Sequence, residues 1–575
     1  MSKSSGINKS TQQKKSAMLI YIAIGTAVVA AGMGGAYLYF SQRSQSIKGM
    51  LGAVAAIPQE AQVVMAFNTK AEPWNKLAQF GTPASQKLIS DGLNKSPLNS
   101  LLIQSKTEYG RDVQPWLEGY IITALVPNKA LPQAPAATLV IAPTRDSGKS
   151  NAFLVKYRDA LTQQGAKFTP SIYKDVTYYE SPSASPNNSV VTADIGGQYV
   201  AIATSATLIQ QAIDTYKGTS PSLAKKSIFA QIYGSKNKSQ TLDRENSLLQ
   251  VYLDGEVALE FIGSQAKLNL NEAAIAQSKR ELEAMTLTGG TQKEGLRFEI
   301  NTYLKNDNAN PLANYEAKVL NLLPQETFLL VSGVNLYQSW LSLVGQARGN
   351  ASSAQLIDQI RKGVKESTKL DLDQDILQWM NGEFAIAAIP NNQGILANPG
   401  FGFVAIAQGS DQNAAKVSLE KIDKAAQSSS LGFLPKGVDL KPKQIGDKSV
   451  VAWAIGNTNV AARGNLDNNF VFWSMGDLAD TFVPKPARTL PESSSFQILT
   501  TGLPKSNGGY FFLNMTTALS LADRLLPPEV KSNPSFTEIR SLLDAINGIA
   551  VTSTNVDAKT TRLDFLFTLK PTPGN

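Results

Sequence analysis

An internal repeat is the feature that most constrains how this chain of 575 residues can fold. The segment IPQEAQVVMAFNTKAEPWNKL of the first half resembles LPQETFLLVSGVNLYQSWLSL of the second. Pro58 and Trp74 match Pro324 and Trp340, both at an offset of 266 residues. Because the repeat unit is as long as a domain, the chain is predicted to contain two copies of one fold.

A second pair of motifs keeps nearly the same offset. DVQPWLEG ends at Gly119 and DILQWMNG ends at Gly382, so Trp116 matches Trp379 at an offset of 263. Further matches continue to RFEI and RLDF, which are 265 residues apart, and the offset stays between 263 and 273 throughout. Chance similarity would not hold this register over the length of a domain.

Each copy is predicted to be an α+β domain. Short apolar runs bounded by Pro or Gly indicate strands, such as Tyr120–Val126, and they alternate with helical patterns. Short links and a closing hairpin favour a mainly antiparallel sheet, with helices packed on one of its faces. The predicted division is a basic tail at 1–16, a transmembrane helix at 17–40, a tether at 41–56, domain one at 57–305, a linker at 306–320 and domain two at 321–571.

Two local predictions follow from the same pattern. Asn68, Asp254, Asn335 and Asn514 each end an apolar strand before a predicted helix, so these side chains are expected to cap the helices. A catalytic role for Asp254 is the alternative, but three of the four equivalents are Asn, which cannot serve as a carboxylate base. One helix is predicted over residues 256–283, with a possible break near residue 263.

Residues 17–40, AMLIYIAIGTAVVAAGMGGAYLYF, carry no charge. A helix of this length would extend ~36 Å, which suffices to cross a hydrocarbon layer of ~30 Å. Tyr21 lies near one end and Tyr37 and Tyr39 near the other, where aromatic rings prefer the headgroup region. A cleaved signal peptide is the alternative, and residues 53–55 (AVA) would suit a signal peptidase. The apolar run is longer than the ~7–15 residues of a signal core, which favours a transmembrane anchor.

The charges beside this segment predict its orientation. Four lysines, including Lys14 and Lys15, precede the helix, whereas Arg43 and Lys48 follow it. The excess of positive charge before the helix favours a cytoplasmic N-terminus and C-terminal domains across the membrane.

Small residues recur every four positions within the segment. Such a stripe allows a second helix to approach closely, so a homo-oligomer through this helix is possible, although small residues are common in all membrane helices. The stripe consists of Ala23, Ala27, Ala31 and Gly35.

Composition argues against nucleic-acid binding and against common enzyme chemistry. Of the formal net charge of +8, the first 50 residues carry +6, so the remainder of the chain is nearly neutral and lacks a basic footprint for phosphates. The chain contains no His and no Cys, which removes the usual general base, the thiolate nucleophile and the commonest zinc ligands. No cofactor and no metal are predicted. A hydrolase would need a Ser–Lys pair or clustered carboxylates.

Three motifs admit a functional and a structural interpretation. Residues 143–150, PTRDSGKS, resemble the end of a phosphate-binding loop, but Pro143 replaces the first Gly of that motif, so a turn and helix start is favoured. Asp371, Asp373 and Asp375 resemble part of a calcium loop but lack its Gly and distal Glu, so a solvated turn is favoured. The four matched tryptophans are expected in the core, with an aromatic-lined pocket as the alternative.

The duplicated L-P-Q-E…W pattern, the D-x-x-x-W-[LM]-x-G pattern and the single N-terminal anchor together resemble an uncharacterised family of cyanobacterial membrane proteins, a family of unknown function. In the first copy Ile57 stands in place of the leading Leu. The resemblance implies a cell with plasma and thylakoid membranes, and thus domains in the periplasm or the thylakoid lumen. It implies no activity and no site residues.

These observations favour a non-enzymatic, membrane-tethered scaffold or assembly protein that contacts another protein. A carrier for an apolar small molecule, such as a lipid or pigment, is the second hypothesis, and a hydrolase is the third. A buried Lys with a lowered pKa beside a Ser would favour the hydrolase.

Overall fold

The computed structural model of the chain describes residues 52, 54–83, 85–87, 107–127, 136–183, 189–234, 241–244, 246–265, 272–307, 313–347, 351–428 and 437–572. We call residues 54–307 half one and residues 313–572 half two. None of the helices in these ranges is both long enough and apolar enough to cross a bilayer. The predicted anchor and its flanking residues lie outside the described residues: Lys14, Lys15, Tyr21, Ala23, Ala27, Ala31, Gly35, Tyr37, Tyr39 and Arg43.

The strands of half one are short and mostly apolar. They are β1 Val63–Asn68, β2 Tyr120–Val126, β3 Ala137–Pro143, β4 Thr169–Tyr173, β5 Val176–Ser181, β6 Val190–Ile195, β7 Tyr199–Ala203, β8 Leu249–Asp254, β9 Leu282–Gln292 and β10 Gly295–Leu304. The strands of half two are β11 Tyr315–Glu316, β12 Leu329–Val334, β13 Glu383–Pro390, β14 Phe401–Gln408, β15 Asp439–Ile445, β16 Lys448–Ile455, β17 Thr458–Asn465, β18 Phe470–Met475, β19 Ser506–Asn507, β20 Tyr510–Asn514, β21 Ile546–Asn555 and β22 Thr560–Leu569.

The helices lie between strands in both halves. Those of half one are α1 Ala71–Ala78, α2 Ser147–Thr162, α3 Ala206–Tyr216, α4 Ser227–Tyr233, α5 Ala258–Gln265 and α6 Glu272–Glu281. Those of half two are α7 Leu336–Ala347, α8 Ala351–Thr368, α9 Gln412–Gln427, α10 Ala479–Phe482, α11 Ser494–Thr500, α12 Met515–Leu525, α13 Pro528–Lys531 and α14 Pro534–Leu543.

The two halves pair their strands in the same order. Half one follows β4–β5–β6–β7–β3–β2–β1–β8–β9–β10. Half two follows β15–β16–β17–β18–β14–β13–β12–β20–β21–β22. Antiparallel pairing of β10 with β22 joins them into one sheet of 20 strands, and β11 pairs separately with β19. The predicted α+β class with a large antiparallel sheet is confirmed.

Helices cover both faces of the sheet, so the expectation that they pack on one face is wrong. Face A carries Val64 in half one and is covered by α3 and α4, whereas face B carries Val63 and is covered by α1, α2 and α5. In half two, α10 and α11 cover face A, which carries Leu330 there, and α9 packs on part of face B. A strand buried on both sides needs apolar residues at odd and even positions, as the sequence YIITALV of β2 has.

The helical region after β8 and the outermost strands of the sheet were not fully predicted from the sequence. The helix predicted over residues 256–283, with a break near residue 263, corresponds to α5 and α6, and β9 begins at Leu282 directly after α6. The outermost strands β4 and β15 carry Pro170 and Pro442. Proline lacks an N–H donor, so these strands are poor templates for pairing with another sheet.

The Asn and Asp residues that follow strands accept hydrogen bonds from the next segment. The Oδ1 atoms of Asn335 and Asn514 accept from N–H groups three residues ahead, at 3.0 and 3.2 Å, as N-caps do. Asn68 and Asp254 instead accept from N–H groups two residues ahead, at 2.9 and 3.1 Å. The prediction that these residues cap helices is therefore confirmed in half two only. Half one forms tight turns at the equivalent positions.

The matched prolines and glycines have identifiable structural roles. Pro58 forms an isolated bridge with Ser222, and Pro324 forms the equivalent bridge with Thr489. Gly119 has a φ of +76°, which side chains rarely adopt. Gly382 is needed for close packing: a Cβ there would lie 2.8 Å from the Cβ of Gln408 and 2.9 Å from its carbonyl oxygen.

Gly382→Ala is expected to reduce the free energy of unfolding by about 1–3 kcal/mol, because the new methyl group must displace Gln408 and its strand. Chemical denaturation of the full chain in detergent measures the change. Gly363→Ala is the matched control, since no atom lies within 4 Å of the Cβ position there. That variant should keep or raise stability because Ala favours a helix. Equal stability of both variants would contradict the crowding at Gly382.

Candidate functional site

The segment that resembles a phosphate-binding loop forms the start of helix α2. Asp146 caps this helix: its Oδ1 atom accepts the N–H of Lys149 at 3.0 Å, and its Oδ2 lies 2.9 Å from the Lys149 Nζ. A carboxylate thus occupies the place where a phosphate would bind. Half two repeats the arrangement with Asp411, which accepts from the N–H groups of Asn413 and Ala414.

Of the three aspartates before Trp379, two lie in a π-helical turn at Leu372–Leu377 and the third caps it, and each has a partner within the chain. Asp371 caps the turn, Asp373 accepts from Trp340 and Arg361, and Asp375 accepts from the Nζ of Lys421 at 2.6 Å. The hydrogen bond from Lys421 lowers the pKa of Asp375. No group of three potential metal ligands occurs among the described residues.

Half one contains an ion pair that is equivalent to Asp375–Lys421. Asp112 accepts from the Nζ of Lys156 at 2.7 Å. Burial alone would raise the pKa of Asp112, but hydrogen bonds from Arg111 and Lys156 outweigh burial and hold it well below its usual range. The repeated pair fixes the turn before each Trp to the helix that follows, α2 or α9, which is a structural role.

Three of the four matched tryptophans are buried, and the fourth is not. Trp74, Trp116 and Trp379 are 2%, 2% and 6% exposed. The indole N–H of Trp74 donates to the carbonyl oxygen of Asn68 at 2.7 Å, which holds α1 at the end of β1. Trp340 is only partly buried and donates to Asp373. Helix α7 is therefore held toward the π-helical turn and α8 instead of toward the sheet.

The junction of the halves is a pair of equivalent strands. In the β10–β22 register, Glu299 lies directly opposite Asp564, which is 265 residues further along and holds the equivalent position. The equivalent arginines, Arg297 and Arg562, lie on either side on face A. A local two-fold axis therefore passes between the two acidic residues, as it would in a symmetric dimer.

These four side chains, which we call the junction cluster, are almost completely shielded from solvent. The arginine side chains are 4% exposed and the carboxylates 0%. Arg297 contacts Asp564 at 2.7 Å and Glu299 at 3.0 Å, and Arg562 contacts Asp564 at 2.9 Å. Glu299 also accepts the N–H of Leu242 at 2.8 Å. Because the charges neutralise each other only in this register, sliding β10 along β22 would leave buried charges unpaired.

The local symmetry is broken beside the cluster. Asn301 lies opposite Arg562, whereas its equivalent, Leu566, lies opposite Arg297. The Asn301 side chain is 1% exposed, and neither its Nδ2 nor its Oδ1 atom has a hydrogen-bond partner among the described residues. The junction cluster thus joins the two halves, and the residues beside it differ between the two equivalent strands.

Face B crosses the same junction as a continuous apolar surface. One cross-strand row consists of directly paired residues on consecutive strands from β14 to β10: Ala405, Ile386, Val331, Phe511, Val551, Phe565 and Phe298. Every member is aliphatic or aromatic.

Part of this surface in half two is open to solvent. Ile386 is 41% and Phe403 40% exposed, although both lie on interior strands of the sheet. The ring of Phe403 packs edge-on against that of Phe401, with centroids 5.4 Å apart. We call the open area the trough; its floor consists of Leu329, Val331, Ile386, Phe403, Ala405, Phe511 and Leu513.

Helices border the trough at both ends of its strands. Helix α12 begins at Met515 after β20, and Leu521 and Arg524 of this helix lie against Gly400 in the loop before β14. The guanidinium group of Arg524 donates to the carbonyl oxygens of Ala397 and Asn398. At the opposite end, Leu336 at the start of α7 packs near Trp379.

Half one does not expose the equivalent positions to the same degree. Thr123 and Val140 correspond to Ile386 and Phe403 at an offset of 263, and both are partly buried. The sequence-based analysis missed the trough. Its signal is in FAIAAI of β13 and FGFVAIA of β14, which are apolar at consecutive positions and so require cover on both faces.

Two cavities lie elsewhere among the described residues. One of about 220 Å³ opens at the β9–β10 turn beside Ile498 and Phe567. The other, of about 350 Å³, lies beside α9 and includes Arg463, whose guanidinium group is bound by Asp423. The first is smaller than the ~300–1,000 Å³ of most small-molecule sites, and the second is near the lower limit of that range.

Asp564→Asn is expected to lower the free energy of unfolding by about 3 kcal/mol, because Arg297 and Arg562 then remain buried without their shared carboxylate. Urea denaturation of the full chain in detergent measures this loss. Asp467→Asn is the control: its carboxylate is 73% exposed and pairs with Lys448, so stability should not change measurably. A similar response of the two variants would show that the junction cluster contributes no more than a surface ion pair.

Comparisons with known proteins give a family but no activity. The profile of a family described as "Protein of unknown function (DUF3352)" matches residues 22–569. No curated protein matches the chain.

Similarity to solved structures is weak. Crystal forms III, I and IV of TP0453 align with 46%, 46% and 45% of this chain and with 83%, 82% and 81% of their own chains. Sequence identities are 12%, 10% and 11%, and TM-scores are 0.25, 0.23 and 0.24. Scores at this level do not establish a common fold.

Proposed function

We propose that this chain, which belongs to the DUF3352 family of proteins of unknown function, is a membrane-tethered, non-enzymatic scaffold or assembly protein that docks another protein in the trough. The observation that carries the proposal is the exposure of Ile386 and Phe403, 41% and 40%, on interior strands. Contiguous apolar surface left open on a folded domain is typical of a contact site.

The tether is the second part of the proposal. Residues 17–40 are uncharged and long enough to cross a bilayer, with more lysines before than after them. The two tandem homologous domains at 57–305 and 321–571 then extend from the tether at 41–56 into the periplasm or, in a cyanobacterial cell, the thylakoid lumen. The small-residue stripe at Ala23, Ala27, Ala31 and Gly35 offers a face for pairing of two anchors.

A tandem repeat with one open and one more closed copy suits a scaffold. Half one keeps Trp74 buried and α1 on the sheet, whereas half two holds α7 through Trp340 and Asp373 and leaves the trough open. Half one and the junction cluster then provide a rigid support for the contact surface of half two.

The absence of His and Cys from the sequence supports a non-enzymatic role. The lysines of the described residues that have a shifted pKa, Lys174, Lys443 and Lys448, are shifted upward. For Lys174 and Lys448 the largest cause is a hydrogen bond to an aspartate, and for Lys443 such bonds outweigh burial. A hydrolase of the Ser–Lys type needs the opposite shift.

A carrier of an apolar molecule is the second candidate. The observation in its favour is that the floor of the trough has no polar side chain and that helices α12 and α7 border it at both ends. Pockets for apolar ligands have such walls.

Deletion of residues 17–40 is expected to move the protein from the membrane fraction to the soluble fraction. The physical reason is the loss of ~24 apolar residues from the hydrocarbon layer. Alkaline extraction of membranes followed by immunoblotting measures the distribution, and the unaltered chain is the control that should resist extraction. Release of the unaltered chain by alkali would contradict the tether.

Photo-crosslinking in intact membranes tests the docking surface. A benzophenone amino acid at position 403 is expected to give an adduct with another polypeptide, because Phe403 is exposed on the floor of the trough. The same amino acid at position 172 is the matched control, since Ile172 is 76% exposed but lies on edge strand β4. An adduct with a lipid or pigment at position 403 would favour the carrier. Equal polypeptide adducts at both positions would contradict a specific surface.

A further inference from the structure

Every strand that forms the floor of the trough is already paired on both sides. β12 lies between β13 and β20, β13 lies between β12 and β14, and β14 lies between β13 and β18. A peptide that enters the trough cannot add to this sheet as a further strand, because no strand edge is free there. An extended peptide on this apolar floor would bury N–H and C=O groups without partners, at a cost of about 1–3 kcal/mol each.

A helix avoids this cost because its backbone hydrogen bonds are internal. The space between the bordering helices fits one helix. Between the end of the strand beside α12 and the start of α7, β12 runs for the six residues Leu329–Val334, which corresponds to about 20 Å of extended chain. Packed helices lie ~8–10 Å apart, so one additional helix can lie between two that are about 20 Å apart.

The size of the trough argues against a second copy of the chain as occupant. A stable interface between globular partners takes ~20–30 residues from each side, whereas the floor of the trough has the seven residues named above. One face of a helix needs only three or four anchor residues at i, i+3, i+4 and i+7.

Charge around the trough is complementary to an uncharged helix face. The floor has no Asp, Glu, Lys or Arg, and neither α7 nor the loop at 391–400 contains one. On α12, Asp523 is paired with Arg540, and Arg524 is bound to two carbonyl oxygens. Polar or charged side chains of an occupant would have to point away from the floor.

Resting on the proposed function, we propose that the trough binds an amphipathic α-helix of a partner protein. The helix lies across β12, β13 and β14, with its apolar face on Ile386 and Phe403. The helix completes the layer that covers face B elsewhere. In half one, α1 is a helix of that layer, although it runs over the side of β1 that carries β8, β9 and β10. That helix crosses the strands: Trp74 is bound at the end of β1, and Gly81, just after the helix, donates its N–H to the carbonyl oxygen of Lys570 after β22.

Mapping of crosslinked residues in the full chain tests this inference. The benzophenone amino acid is placed in turn at positions 331, 386 and 403, on three neighbouring strands, and mass spectrometry identifies the attached residues of the partner. Neighbouring strands are ~4.8 Å apart, and a helix rises 1.5 Å per residue. The attachment points are therefore expected to shift by about three or four residues from one strand to the next.

Two variants provide the affinity measurement. Ile386→Ser combined with Phe403→Ser is expected to weaken capture of the same partner through position 331 about tenfold or more, because each substitution removes apolar contact area. Ile172→Ser is the control and should leave capture unchanged. Since Ile386 and Phe403 are exposed, the double variant should fold, and gel filtration and thermal unfolding verify this.

The outcomes separate this inference from the proposed function. Helical spacing together with loss of capture in the double variant supports both. A polypeptide adduct whose attachment points advance by about two residues per strand, or do not advance, overturns the helix while the docking function stands. An adduct with a second copy of the chain also overturns the helix. Lipid adducts, or no polypeptide adduct at all three positions, overturn both.

Discussion

The pairing of β10 with β22 is the contact on which the arrangement of the whole chain depends. It joins two ten-strand units into one sheet, and its register is marked by Glu299 opposite Asp564 with Arg297 and Arg562 beside them. Burial of four charges costs more free energy than their attraction returns unless each is paired. The main effect of the junction cluster is therefore to select one register and not to add stability. In that register, face B of both halves forms one apolar surface.

The two halves share one strand order but hold the equivalent helices α1 and α7 in different positions. In half one, the Trp74 indole is bound to the end of β1 and α1 covers face B. In half two, Asp373 binds the Trp340 indole and Arg361, so α7 packs toward α8 and the π-helical turn. The middle carboxylate of that turn has no counterpart in half one, where Gly110 stands at the equivalent position. One carboxylate thus accompanies the different positions of the equivalent helices α1 and α7.

Much of the secondary structure could be predicted from the sequence because it depends on local patterns. The limits of β2, β6 and β7 agree with the apolar runs, and Asn335 and Asn514 cap the following helices. The short edge strand β4, TPSIY, was missed, because its local sequence has no clear strand period. The trough was missed for another reason. Phe403 and Val404 are equally apolar, and only the position of helices distant in sequence makes one 40% and the other 0% exposed.

The duplication, the α+β class and the uncharged segment at 17–40 can be read from the sequence alone, because these depend on repeat offset, residue period and charge along the chain. The covered faces of the sheet, the junction of the halves and the position of the open apolar surface follow from the packed structure. The junction of the halves, for example, depends on contacts between residues more than 200 positions apart, such as Arg297 with Asp564. Such contacts follow from packing and strand register, which a linear pattern does not encode residue by residue.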